Sequence, residues 1–290
     1  MSVRAGGRCT RCMTKNTDHQ ELSLITGGTG KTGSRVAALL RAAGHPVRVG
    51  SRTAPIPFDW TDRGTWGPAL AGVSSVYLAF QPDLAVPGTP EIIADFAATA
   101  RAAGVRSIVL LSGRGEPEAL ACEQAVRDSG LAWTVVRCSF FAQNFSEGAF
   151  LDEIRAGTVA LPNGDVPEPF VHADDIAEVA AAALAGGHDG RVYELTGPRA
   201  LTFAEAVGEI AAAAGRDIAF VPVTRPEFVA ALTDYQMPAD VVDLLDYLFG
   251  TVLDGRNSAP ADGVRQALGR APRDFAEYAT QTAATGVWRN

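Results

Sequence analysis

Lysine is almost missing from this chain: Lys15 and Lys31 are the two it has, and arginine carries nearly all of the positive charge. Any mechanism that needs a lysine in the body of the protein therefore has one candidate, Lys31. No apolar run approaches the roughly 20 residues a membrane-spanning helix needs, and no charged-then-apolar leader opens the sequence. Neither a membrane partner nor a secretory route is expected. Four scattered cysteines, Cys9, Cys12, Cys122 and Cys138, suit a reducing, cytoplasmic compartment better than a disulfide framework. Basic charge is in deficit as well, and a net charge of -8 argues against general nucleic-acid binding, which needs a basic face. With 290 residues, 47% hydrophobic and 20% charged, the chain can bury a large core as an ordinary soluble globular protein.

Residues 1–20 are polar and lack hydrophobic periodicity. Cys9-Thr-Arg-Cys12 could be half of a zinc site, but no second pair follows at ligand spacing, so no metal is expected. The segment reads as a disordered lead ahead of a start at Met13. From Leu22 a cadence sets in. Leu22 to Thr26 is a short apolar run, Lys31 to Ala43 carries a helical stripe at Val36, Leu39 and Leu40, and Gly44 stands where a helix ends. Strands follow at Pro46–Gly50, Ser75–Phe80, Ser107–Leu111 and Trp133–Arg137, with helices around Trp66–Leu70, Ile92–Gly104 and Leu120–Arg127 between them. Apolar strands alternating with amphipathic helices imply an α/β fold, a Rossmann-type doubly wound parallel sheet covered on both faces. This dinucleotide-binding domain is expected over 21–138. Beyond it, 139–290 reads as a smaller, mostly helical substrate-side subdomain, interleaved with the sheet through a strand at Arg191–Leu195.

The first strand runs into Thr26-Gly27-Gly28-Thr29-Gly30-Lys31-Thr32-Gly33. A P-loop would need Gly-x-x-x-x-Gly-Lys-Ser/Thr; Gly30-Lys31-Thr32 supplies its end, but Ile25 stands where the first glycine belongs, inside the strand. The spacing Gly27-x-x-Gly30-x-x-Gly33 instead suits a dinucleotide. Gly27 permits the tight turn, Gly30 lets backbone approach a pyrophosphate, and Gly33 allows close helix–sheet packing. NAD sites place an acid about 20 residues on; here the second strand ends in Ser51-Arg52. A planar guanidinium with a hydroxyl beside it suits a 2′-phosphate, so NADPH is expected. The alternative is that Arg52 is a solvated surface charge.

The chain from Leu22 onward resembles the NmrA-like group of atypical short-chain dehydrogenases/reductases. The resemblance rests on the glycine loop, Phe58-Asp-Trp-Thr-Asp62, Val105–Ser112, Ser129–Arg137, Phe141-Ala-Gln-Asn-Phe145 and Phe170-Val-His-Ala-Asp-Asp-Ile-Ala177. Within the group it is similar to festuclavine-synthase-type and quinone- or isoflavone-type reductases. The resemblance implies that Asp59 and Trp60 lie by the adenine and that Ala79, Phe80 and Gln81 flank the nicotinamide. It also places the family's serine at Ser112, while Thr29, Lys31 and Thr32 complete the loop's cofactor contacts. The wider superfamily uses a Tyr-x-x-x-Lys pair for proton transfer. None of Tyr77, Tyr193, Tyr235, Tyr247 and Tyr278 has a lysine four positions on, and the stretch that should carry the pair reads Ala119-Leu-Ala-Cys122-Glu123.

Hydride transfer is the cofactor's own chemistry, so a substrate that takes its proton from water needs no dedicated acid. Quinones, conjugated enones and imines fit. Arg114, Phe140, Phe141, Asn144 and Phe145 are the candidate substrate pocket, although the phenylalanines could equally be core. Ser112 and His172 are the candidates for catalysis; Asp174 and Asp175 read as caps of the helix that follows, and a structural role for His172 stands beside the catalytic one. Cys138 reads as a buried filler, and Glu123 as a partner for a nearby arginine. Two functions remain open at this stage. One is an NADPH-dependent reductase of a small conjugated or aromatic molecule, working as a monomer or homodimer. The other is a non-enzymatic redox sensor of the NmrA kind, acting through a regulatory protein partner.

Overall fold

A computed structural model describes residues 21–148 and 150–289; Cys9, Cys12 and the whole expected lead, 1–20, lie outside the described residues. The first half alternates strictly: β1 (Leu22–Thr26), α1 (Lys31–Ala42), β2 (Val47–Gly50), α2 (Trp66–Leu70), β3 (Val73–Leu78), α3 (Thr89–Ala102), β4 (Ser107–Gly113), α4 (Pro117–Asp128) and β5 (Ala132–Cys138). Then come α5 (Leu151–Ala156), β6 (Thr158–Leu161), α6 (Ala173–Ala185), β7 (Arg191–Leu195), α7 (Phe203–Ala214), β8 (Ala219–Pro222), α8 (Arg225–Asp234), α9 (Ala239–Tyr247), α10 (Gly263–Leu268) and α11 (Phe275–Thr285).

Six strands form one parallel sheet in the order β2-β1-β3-β4-β5-β7. The period-2 geometry of a strand sends neighbouring side chains to opposite faces. Leu24, Val76, Leu78, Ile108 and Leu110 accordingly enter one core with Phe96 and Trp66. Ile25, Tyr77 and Val109 enter the other with Val36, Leu40 and Ile176. Each fully buried Leu, Ile or Val is worth about 1.5–3 kcal/mol, and that is why strands covered on both faces carry such apolar runs. The chain leaves β1 toward β2 on one side and crosses back to β3 on the other. The crevice outside the carboxyl ends of β1 and β3 is therefore where an open α/β sheet holds a ligand.

A third core lies beyond those ends, among Phe145, Phe150, Phe170, Phe203, Phe249 and Phe275. Its aromatic rings meet mostly edge-on, Phe170 and Phe203 at 5.0 Å. Thr202 and Thr224 each close a capping box with Glu205 and Glu227, fixing the starts of α7 and α8. β6 and β8 pair as a separate parallel ribbon in a region the sequence pattern assigns to loop and helix. Both are four residues long, too short to show a period. Among the described residues no helix is long and apolar enough to cross a membrane.

Candidate active site

Thr26 joins the two strands at the switch point: its hydroxyl accepts from the Ala79 amide at 2.8 Å and reaches the Tyr77 and Ala79 carbonyls at 3.1 Å. The chain then turns at Gly27, whose φ is +59°, a conformation that favours glycine. Gly33 sits so close over this turn that a Cβ there would fall 2.3 Å from the Gly27 carbonyl oxygen. Gly30 caps α1 without any side-chain bond, and no acid occupies the first turn. The amides at that end are thus left to an anion.

One cavity of about 780 Å³ opens against this turn. It brings together Gly27, Thr29, Gly30, Lys31, Thr32 and Arg52 on one side. Ala79, Phe80, Gln81, Ser112 and Arg114 follow along the strand ends, with Phe140, Phe141 and Asn144 opposite. Arg52 is exposed at the rim. Lys31 is not free to roam: its ammonium donates to Asn144 Oδ1 at 3.0 Å, and burial lowers its pKa. One helical turn on, Arg35 pairs with Glu147 and with Asp174, so α1 is tied to the segment across the cavity mouth.

Other expected site residues lie elsewhere. Trp60 stands behind the cavity wall rather than in it: its indole Nε1 donates to the Ala79 carbonyl at 3.2 Å and its ring packs 5.0 Å from Phe80. Asp59 spends its carboxylate on Thr61 in a local turn, off the cavity lining. Ser51 lies next to Arg52 but off the lining, as does the buried Gly33. Phe145 is fully buried in the third core, which makes it a packing residue; Phe140 has both roles, lining the cavity and meeting Phe203 and Phe249.

The two catalytic candidates are each engaged by protein partners. His172 is 6% exposed and off the cavity; its Nδ1 accepts the Asp174 amide at 3.1 Å and its Nε2 meets Gln143. It caps α6, the part expected of the two aspartates. Ser112 is on the lining, but its hydroxyl is donated to Glu123 at 2.8 Å. Glu123, fully buried, also holds Arg137 and Arg127, which is the arginine pairing expected of it.

What the sequence did not reveal is a set of carboxyls around the cavity: Asp83, Glu116 and Glu168. They come from three separate loops, so no local spacing announces them. Burial pushes Glu116 up to about 8, with the Asp83 charge adding to it, and raises Asp83 likewise. Glu116 lies over Gly113, where a Cβ would fall within 2.2 Å of its Oε1. Glu168, 2% exposed, is pushed up to about 7 by burial, moderated by the Phe140 amide and the charge of Arg114.

A carboxyl raised in this way adds stability that is complete below its ordinary range and is lost as pH rises through the folded value. From about 4.5 to about 7, Glu168 contributes on the order of 3 kcal/mol of such dependence. In urea unfolding at pH 5 and pH 9, the stability of Glu168→Gln relative to wild type is expected to move by that amount in the variant's favour. An unchanged difference would refute the burial of a protonatable Glu168.

No family model matches the chain. Curated relatives do. An NAD(P)H azoreductase from Xenophilus azovorans is 32% identical over 284 residues, covering 90% of this chain and 98% of that one. An agroclavine dehydrogenase from Claviceps fusiformis is 34% identical over 290 residues, covering 91% and 98%. Among solved structures, the NADPH complex of the Escherichia coli quinone oxidoreductase QOR2 superposes with a TM-score of 0.73 at 22% identity, covering 89% of this chain and 99% of that one. That last likeness concerns the fold.

Proposed function

Because the chain belongs to the NmrA-like group of atypical short-chain dehydrogenases/reductases, a family of NAD(P)H-dependent oxidoreductases, we propose that it is an NADPH-dependent reductase of a small conjugated or aromatic molecule. The observation that carries this is one cavity with an anion-ready glycine turn and Arg52 at one end and Phe80, Phe140 and Phe141 at the other. Quinones, enones, azo compounds and imines are the substrate classes that suit such walls. The names of the azoreductase and agroclavine relatives point the same way.

When bound, the nicotinamide supplies the hydride. The chain's own work is placement. The amides at the start of α1 would hold the pyrophosphate, Arg52 would meet the 2′-phosphate, and Ala79, Phe80 and Gln81 would flank the reactive ring. Trp60 fixes Ala79 and Phe80 from behind. The phenylalanines exclude water and give a flat substrate a face to lie on. NADPH oxidation followed at 340 nm with a panel of quinones, enones, azo dyes and imines tests the proposal; no turnover of any of them, with equal binding of oxidised and reduced cofactor, would overturn it in favour of a sensor.

Arg52→Ala separates the two dinucleotides. A charge-assisted contact is worth about 1.5–3 kcal/mol, and exposure puts this one at the low end, so the Kd for NADPH is expected to rise about 10-fold while that for NADH stays put. Isothermal titration with both would show it; an unchanged ratio would leave Arg52 a surface charge.

A further inference from the structure

We propose that Glu168 is the proton donor of this enzyme, standing in the cavity where the superfamily's tyrosine has no counterpart. The inference rests on the reductase reading above and adds the acid that reading leaves unnamed.

The placement is rigid. Glu168 exchanges two backbone hydrogen bonds with Leu201, at 2.8 and 3.0 Å, and the Phe170 amide donates to its carbonyl. The side chain is thereby held beside Phe140, whose amide donates to Oε1 at a long 3.3 Å. Glu168 is nearly wholly buried and still lines the cavity. Arg114, from the end of β4, is the charged group that acts on it most directly. Arg114 in turn pairs with Glu194 of β7 at 3.3 Å and donates to the carbonyls of Asn257 and Ala259. Asp83 and Glu116 stand elsewhere on the lining, and Lys31, Arg52 and Glu147 at the dinucleotide end. Asp83 and Glu116 bond to each other and so share what proton they hold. Among the described residues Glu168 faces no second carboxyl in that way, and Arg114 stands by to steady it once it is charged.

A value of about 7 keeps both forms populated near neutrality, which suits a donor that must regain its proton every cycle. In the step, the substrate atom that accepts hydride gains one bond. The carboxyl O–H breaks, and its proton forms the new N–H or O–H bond on the neighbouring heteroatom, which has received the displaced electron pair. The substrate is reduced by two electrons at the expense of the dinucleotide, and the carboxylate recovers its proton from water.

Two acceptors distinguish this role from a merely structural one. Reduction of the azo dye methyl red needs a proton as well as hydride, whereas the cationic dye malachite green needs hydride alone. Glu168→Gln is expected to lower kcat for methyl red about 100-fold, to erase the fall in wild-type activity as pH rises through about 7, and to leave kcat for malachite green and the Kd for NADPH near wild type. A readout without turnover accompanies it: in cofactor-free protein carrying 13C-carboxyl glutamate, a resonance titrating near neutrality should vanish in Glu168→Gln. Equal losses on both dyes, an unmoved pH profile, wild-type turnover of the cation alone, or the absence of that resonance would each overturn the assignment. No turnover of either dye or of the wider panel by wild type would instead refute the reductase reading itself.

Discussion

Gly33→Ala is expected to abolish dinucleotide binding in a protein that remains folded. Intrinsic propensity argues the other way, because alanine inside a helix is favoured over glycine by about 1 kcal/mol. Packing decides the sign. The new methyl group would sit 2.3 Å from the Gly27 oxygen, 2.8 Å from its carbonyl carbon and 2.9 Å from Gly28 Cα. These are backbone atoms, which cannot swing aside, and overpacking of this kind costs about 1–3 kcal/mol or more. Relief comes by moving α1 off the turn, and that removes the anion cradle at its N-terminus. The Kd for NADPH should weaken at least ~100-fold. Gly208, on the exposed face of α7 with nothing within 4 Å of a Cβ, is the control; Gly208→Ala should raise stability by up to about 1 kcal/mol and leave binding alone. Titration of the cofactor and thermal melting of both variants provide the check. Wild-type affinity in Gly33→Ala would remove the physical basis for the glycine spacing.

The same close approach explains why so much of the nucleotide end was legible. A turn that only glycine fits, followed by a helix without a side-chain cap, is written in five consecutive residues, Gly27–Lys31. Strand alternation carried the sheet equally well, since Leu24, Tyr77 and Val109 must each choose a face. The third core defeated this logic. Phe140, Phe141 and Phe145 lie within six positions, yet two reach the cavity and one is wholly buried. What separates them is the short helical turn at Ala142–Phe145, which rotates the last ring inward. Sequence leaves His172 open between acid and structural residue, because its value as an acid is a property of type, whereas its role as a cap depends on the Asp174 amide being within reach. Glu168 was missed for the opposite reason. In sequence it is one acid in a loop flanked by Pro167 and Pro169; only the return of Leu201 alongside it makes it a buried carboxyl in a cavity.

Glu123→Ala is expected to be the most destabilising single change among the polar groups at the strand ends. Glu123 occupies the stretch where the superfamily keeps its tyrosine and lysine, and the structure gives it no access to the cavity: it is fully buried in α4. Its Oε1 accepts from Ser112 Oγ and Arg137 Nε, both at 2.8 Å. Its Oε2 accepts from Arg137 Nη2 at 2.7 Å and Arg127 Nη2 at 3.1 Å. Arg137 continues to Glu194 at 2.8 Å, and Glu194 to the cavity-lining Arg114. Removing the carboxylate leaves a guanidinium that is only 18% exposed with Glu194 alone, and a buried hydroxyl without its acceptor. Breaking a buried pair from one side costs about 3–5 kcal/mol, which for a chain of this size lowers Tm by roughly 10 °C. A catalytic Glu123 would behave differently, losing turnover at unchanged Tm. Replacing both partners, as Glu123→Met with Arg137→Met, should cost less than Glu123→Ala alone, because the largely buried Arg137 is then gone as well and the charges that lose a partner, Arg127 and Glu194, are about a third or more exposed. Differential scanning calorimetry of the three proteins decides between the two roles. A single variant that melts with wild type would overturn the role of Glu123 as a strut under β4 and β5.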